Sequence, residues 1–116
     1  MKTTRTLRIA EEIKRELNQA LCFELRNPNL VGVSISRVIV TPDLSLAKVY
    51  FILGHDPKKN SEILKAFEKT KGFMRHYLAK NLRLRLVPDL VFYHDDAPEK
   101  QDRIEYLLGT IKHEDE

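Results

Sequence analysis

The chain has 116 residues, 42% of them hydrophobic and 32% charged, with a single cysteine and no tryptophan. This length suits one domain with one core. The lone Cys22 excludes an intramolecular disulfide, and no apolar run approaches the roughly 20 residues that span a bilayer. The net charge of +3 averages two unlike parts: residues 1–93 carry 17 basic and 9 acidic side chains, whereas residues 94–116 carry 3 and 8. A basic body therefore precedes a short acidic tail. The N-terminus has charges every few residues and no apolar stretch, so no secretory signal is expected and a cytoplasmic setting fits.

Residues 5–25 predict an amphipathic helix, because Ile9, Ile13, Leu17, Leu21 and Leu25 recur every fourth position. Cys22 is expected to be a small buried residue of that helix. Asn27-Pro28-Asn29 ends it, since proline disfavours helical geometry in the residue before it. Residues 31–40 predict a strand whose apolar phase starts on Val31, Val33 and Ile35 and shifts to Val38 and Val40. A bulge near Ser36-Arg37 explains the shift, and so does burial of both faces. Thr41-Pro42-Asp43-Leu44-Ser45 is a turn by composition. Residues 46–53 form the second strand of an antiparallel hairpin, with Ala47, Val49 and Phe51 facing one way.

Helical periodicity resumes at Ser61, with Ile63, Leu64, Phe67, Met74 and Leu78 as the apolar stripe. Lys71 falls inside that stripe if the helix runs straight, and Gly72 follows it. Two helices broken at Thr70-Lys71-Gly72 are therefore expected; a straight helix would need Lys71 to snorkel along its own stem. A third strand region covers 84–87 and 90–93, with the strand proper starting after Pro88. A last helix over about 99–111 presents Ile104, Leu107, Leu108 and Ile111 in a narrow arc and is expected to dock on the domain. Two strands, a long crossover and a third strand give an α+β layered domain.

The segment KTKGFMRHYLAKNLRLR, residues 69–85, holds Lys69, Lys71, Arg75, Lys80, Arg83 and Arg85 and no acidic residue. Gathering six cations on a short, partly apolar segment suits a polyanionic partner, most often nucleic acid. A break at Gly72 would expose backbone N–H groups at a new helix start, which seat phosphate, and would let two backbones approach. Lys65, Lys69 and Lys80 cluster on one side of the helix, while Arg75 lies nearer its apolar edge. Tyr50 and Tyr93 are candidates to face outward from the sheet and stack on bases, whereas Phe51 and Phe92 fit core positions. The pairs His55-Asp56 and His94-Asp95-Asp96 read as turn residues, because adjacent positions do not aim several ligands at one point. No nucleophile elbow, zinc motif, phosphate loop or CxxC is present, so no enzyme, metal or cofactor is expected.

Taken together, RIAEEIKREL, FELRNPNL, VSISRVIVTPDLSLAKVYF, KGFMRHYLAKNLRLRLVPDLVFYHDD and DRIEYLL resemble the ribosome-binding factor A family along nearly the whole chain. The resemblance implies a KH-like fold of the α-first, type II kind, in the order α-β-β-α-kink-α-β: one domain over 1–116, with a small three-stranded sheet packed against helices, plus a C-terminal helix. It implies a non-catalytic monomer that binds the immature small (30S) ribosomal subunit through its rRNA. Late maturation, including processing of the rRNA 5′ end, is the implied role, with no small-molecule substrate and no membrane. The family's interhelical kink, usually alanine–any–glycine, corresponds here to Thr70-Lys71-Gly72. The RNA-binding residues expected are Lys65, Lys69, Lys71, Gly72, Arg75, Lys80, Arg83 and Arg85. The competing expectation is a protein–protein adaptor that turns the same basic face to an acidic partner.

Overall fold

The structure is a computed structural model describing residues 4–25, 27–53 and 60–95. It consists of helix α1 (Thr4–Gln19), strands β1 (Val33–Val40) and β2 (Leu46–Leu53), helix α2 (Asn60–Leu82) and strand β3 (Asp89–His94). The helix expected over 99–111 lies outside the described residues. The sheet order is β1-β2-β3, with β1 antiparallel and β3 parallel to β2. A parallel neighbour requires a crossover, and α2 supplies it. Ile13 and Leu17 from α1, Phe67, Met74 and Leu78 from α2, and Val49, Phe51 and Leu90 from the sheet are all fully buried in one core between helices and sheet. This is the α+β arrangement expected.

The apolar phase shift in β1 is a bulge. Register runs Ile35 opposite Phe51 and then Arg37 opposite Tyr50, leaving Ser36 as the extra residue. Val33 and Ile35 on one side of it, and Val38 and Val40 on the other, thus all turn inward. Asp95, just past β3, pins the bulge. Its carboxylate accepts from the Ser36 hydroxyl at 2.6 Å and from Arg37 Nε at 3.2 Å, and its amide donates to the Phe51 carbonyl at 2.7 Å. The first strand starts two residues later than expected. Val31 is 80% exposed, and Gly32 adopts φ 82° in the turn before β1, a left-handed conformation suited to glycine.

Helix α1 also ends differently. Residues Ala20–Glu24 form a π-turn in which the Leu25 amide donates to the Ala20 carbonyl at 2.7 Å. The wider turn keeps Leu21 and Leu25 against the core but rotates Cys22 and Phe23 into solvent. Cys22 is therefore not the buried residue expected from uninterrupted periodicity.

The expected break at Thr70-Lys71-Gly72 is absent: α2 is one helix from Asn60 to Leu82. Lys71 need not escape the apolar arc, because its stem lies along the helix and its ammonium reaches Glu68 one turn back, at 3.1 Å. The Thr70 hydroxyl sits 3.0 Å from the Ala66 carbonyl and 3.2 Å from that of Phe67, back-bonding that loosens a helix without interrupting it. A Cβ at Gly72 would meet nothing within 4 Å, so the glycine serves no close backbone approach there.

Because β1 is an edge strand, Ile35 has backbone groups facing away from β2. Asn18 of α1 satisfies both: its amide accepts from the Ile35 N–H at 2.8 Å and donates to the Ile35 carbonyl at 3.1 Å. Asn18→Ala leaves both without a protein partner and is expected to lower stability by about 1–3 kcal/mol, read as a lower urea midpoint at unchanged slope. In the β1–β2 turn the Asp43 carboxyl accepts from the Ser45 hydroxyl, the Ser45 amide and the Thr41 hydroxyl. These bonds, the Ser45 hydroxyl foremost, hold its pKa below the usual carboxylate value. Its stabilisation is thus complete above the ordinary aspartate pKa and is lost as pH falls through the lowered one. Asp43→Ala should lower the urea midpoint at neutral pH and have no effect in strong acid.

Candidate nucleic-acid interface

The rotation of α2 about its axis decides which cations face outward, and the core sets that rotation. Phe67 is fully buried; its ring stacks on Phe92 with centroids 4.5 Å apart and meets Phe51 at 5.1 Å. Ile63, Ala66, Met74 and Leu78 share its side of the helix and are buried too. At 3.6 residues per turn, Lys65, Lys69, His76 and Lys80 then fall within about 60° of the opposite circumference, with Phe73 about 20° beyond. All five are exposed.

This stripe borders the segment leaving α1, and two surface hollows of about 310 Å³ each lie along the seam. The first is lined by Lys65 and Lys69 with Glu62, Ala66, Asn27 and Asn29. Asn27 caps the short 3-10 turn Pro28–Leu30 by accepting from the Asn29 amide at 2.9 Å, which fixes that wall. The second is lined by Lys80, Phe73, His76, Tyr77, Asn81 and Glu24. Burial, with the Glu16 and Glu24 carboxylates adding to it, raises the Tyr77 phenol above its ordinary pKa. Among the described residues, Lys65, Lys69 and Lys80 make no ion pair, so they are available to neutralise phosphate.

The remaining candidates are placed elsewhere. Lys71 lies about 120° around the helix from Lys65 and is paired with Glu68. Arg75 lies about 80° away, where its Nε donates to the Pro88 carbonyl at 3.2 Å and its terminal nitrogen to Val87 at 2.9 Å. It therefore clamps the α2–β3 connector. Arg83, at φ 53° just past α2, and Arg85 are exposed on that connector. Gly72 is exposed beside the stripe, but inside a continuous helix it offers no free backbone N–H groups. Arg75→Ala is expected to destabilise the fold by about 1–3 kcal/mol, whereas Lys65→Ala stays within about 0.5 kcal/mol. Thermal denaturation of the two variants separates the clamp from the stripe.

On the open sheet face, Tyr50 and Tyr93 do point outward and stack at 5.3 Å, while Phe51 and Phe92 are core residues as expected. The Arg37 guanidinium lies 4.0 Å over the Tyr50 ring, so that ring already has partners. Asp95 is buried in the bulge network rather than exposed in a turn. Among the described residues no cluster of three potential metal ligands occurs, and no helix is long and apolar enough to cross a membrane. Sequence reasoning missed Phe73, His76, Tyr77, Asn81, Glu24 and the two asparagines. A helical wheel centred on Lys69 brings in Phe73 and His76; the α1 exit residues join only through tertiary packing.

Comparison with known proteins follows the same lines. Residues 5–108 match the ribosome-binding factor A family. The ribosome-binding factor A of Macrococcus caseolyticus is 36% identical over 107 residues, covering 92% of this chain and 94% of its own. The solution NMR structure of a Thermotoga maritima protein assigned to ribosome-binding factor A is 34% identical, with a TM-score of 0.73 over 84% of this chain and 92% of that one. Thermus thermophilus ribosome-binding factor A, as fitted into a cryo-EM map of a 30S complex, shares the fold at 23% identity, with a TM-score of 0.65 over 78% of this chain and 96% of that one. The family match over residues 5–108, with relatives more than a third identical along nearly the whole chain, makes this chain a member of the ribosome-binding factor A family.

Proposed function

We propose that the protein is a non-catalytic assembly factor that docks as a monomer on the immature small ribosomal subunit, through rRNA, in the cytoplasm. The observation that carries this reading is the row of lysines 65, 69 and 80, which make no ion pair among the described residues, beside two polar-lined hollows. Positive charge supplies most of the affinity, by releasing counterions from phosphate. The shape of the seam between α2 and the α1 exit supplies selectivity. Binding one rRNA arrangement better than its competitors shifts the population toward it. That suffices for a role in late maturation, including 5′-end processing of small-subunit rRNA carried out by other enzymes. The family's name and the 30S complex of the Thermus protein support the ribosome as partner. Lys71 and Arg75 contribute to the field of the basic body rather than to direct contacts.

Lys65→Glu/Lys69→Glu/Lys80→Glu is expected to keep its thermal stability, because all three side chains are exposed. It should lose co-sedimentation with small subunits at moderate salt and lower the salt slope of RNA binding by about one unit per lysine. Unchanged co-sedimentation would place the contact elsewhere on the surface. Binding that survives nuclease treatment of exposed rRNA would favour an acidic protein partner instead.

A further inference from the structure

The second hollow contains a feature that phosphate binding does not use. Phe73 is 42% exposed, on a stripe whose other members are lysines and a histidine. A half-exposed phenylalanine among cations contributes little to the core and offers a flat apolar face beside the very groups that hold a phosphate chain. Tyr77 lies one turn on, its ring centroid 6.2 Å from that of Phe73. Asn81 donates to the Tyr77 carbonyl at 2.8 Å, which pins the far wall. Glu24, at the end of the π-turn, lines the same hollow. Its carboxylate would repel a phosphate, so the ligand group here is not one. A carboxylate accepts hydrogen bonds only, and beside an aromatic face it suits a flat group with N–H donors along its edge. At about 310 Å³ the hollow sits at the lower end of small-molecule sites, about 300–1,000 Å³.

We propose that this hollow receives one unpaired RNA base, stacked on the Phe73 ring and held along its donor edge by Glu24, while Lys69 and Lys80 hold the flanking phosphates. Guanine fits best, since its Watson–Crick edge presents adjacent ring N–H and amino donors to a carboxylate; uracil presents a single donor between two carbonyls. The inference rests on the RNA-binding reading and adds to it a preference for single-stranded over paired rRNA. It places recognition on an α2 aromatic instead of the sheet tyrosines, whose stack is already capped by Arg37.

The test is binding of the full-length chain to short single-stranded oligouridine RNAs with or without one central guanine, across a salt series. Phe73→Leu keeps an apolar side chain but removes the ring. It should weaken binding of the guanine RNA by about fivefold to a hundredfold with an unchanged salt slope. Phe73→Trp should restore binding, and Glu24→Gln should bring the guanine RNA down to the level of the plain one. If Phe73→Leu binds like the unaltered protein while the triple lysine reversal loses affinity, the base site is overturned and the RNA reading stands. Guanine preference persisting in Glu24→Gln overturns the edge contact. If the lysine reversal binds all RNAs unchanged, the RNA reading falls and the base site with it.

Discussion

The orientation of α2 is fixed by one buried aromatic side chain, Phe67, and the surface chemistry depends on it. Phe67 is wedged between Phe51 and Phe92, residues of two different strands, so the helix cannot roll without breaking both ring contacts. Replacing such a ring by alanine costs about 3–5 kcal/mol, a large share of a small domain's stability. A roll of one residue, about 100°, would carry Lys65 and Lys69 toward the sheet and bring Glu68 outward. The interior thus determines which charges the molecule presents.

That geometry divides the cations into two kinds. Lys71 is neutralised by Glu68, Arg75 serves the backbone of the connector, and Arg37 is held by Asp95 and Tyr50. An exposed pair such as Lys71–Glu68 contributes only a few tenths of a kcal/mol, so it settles a local charge more than it stabilises the fold. Lys65, Lys69 and Lys80 lack such partners among the described residues. Lys65 and Lys69, one turn apart, repel each other weakly in water, and a polyanion offsets that repulsion. Glu62 and Glu24 interrupt the positive field at each hollow, giving it a sign pattern rather than a uniform charge.

Much of this was legible in the residues. The phase jump from Ile35 to Val38 admitted a bulge or burial of both faces, of which the register shows the bulge, and Pro88 marked where β3 begins, because proline cannot donate a ladder hydrogen bond. What failed was whatever depended on how a side chain bends. Periodicity put Lys71 on the apolar arc but could not say that its four-carbon stem would lie flat toward Glu68, so a helix break was inferred where none exists. The π-turn was hidden for a related reason: one extra residue in a turn leaves the spacing of Leu17, Leu21 and Leu25 intact while turning Cys22 and Phe23 outward. Periodicity did set Arg75 apart from Lys65, Lys69 and Lys80, nearer the apolar edge, but it could not show that Arg75 reaches the Val87 and Pro88 carbonyls. The seam with Asn27, Asn29 and Glu24 joins residues roughly 33 to 57 positions apart, which no local pattern records.

The parallel pairing of β2 with β3 has a consequence for how the chain is made. The hairpin and α1 leave the ribosomal tunnel first, and all of α2 must follow before β3 can seat. Until then β2 has a bare edge, and Val49 and Phe51 lack their third layer. Pairing across such a long intervening segment is slow, and open strand edges invite association between nascent chains. The sheet therefore cannot be completed before Asp95 has emerged and closed on the bulge at Ser36. A protein truncated before residue 89 would be a sticky fragment rather than a smaller working domain.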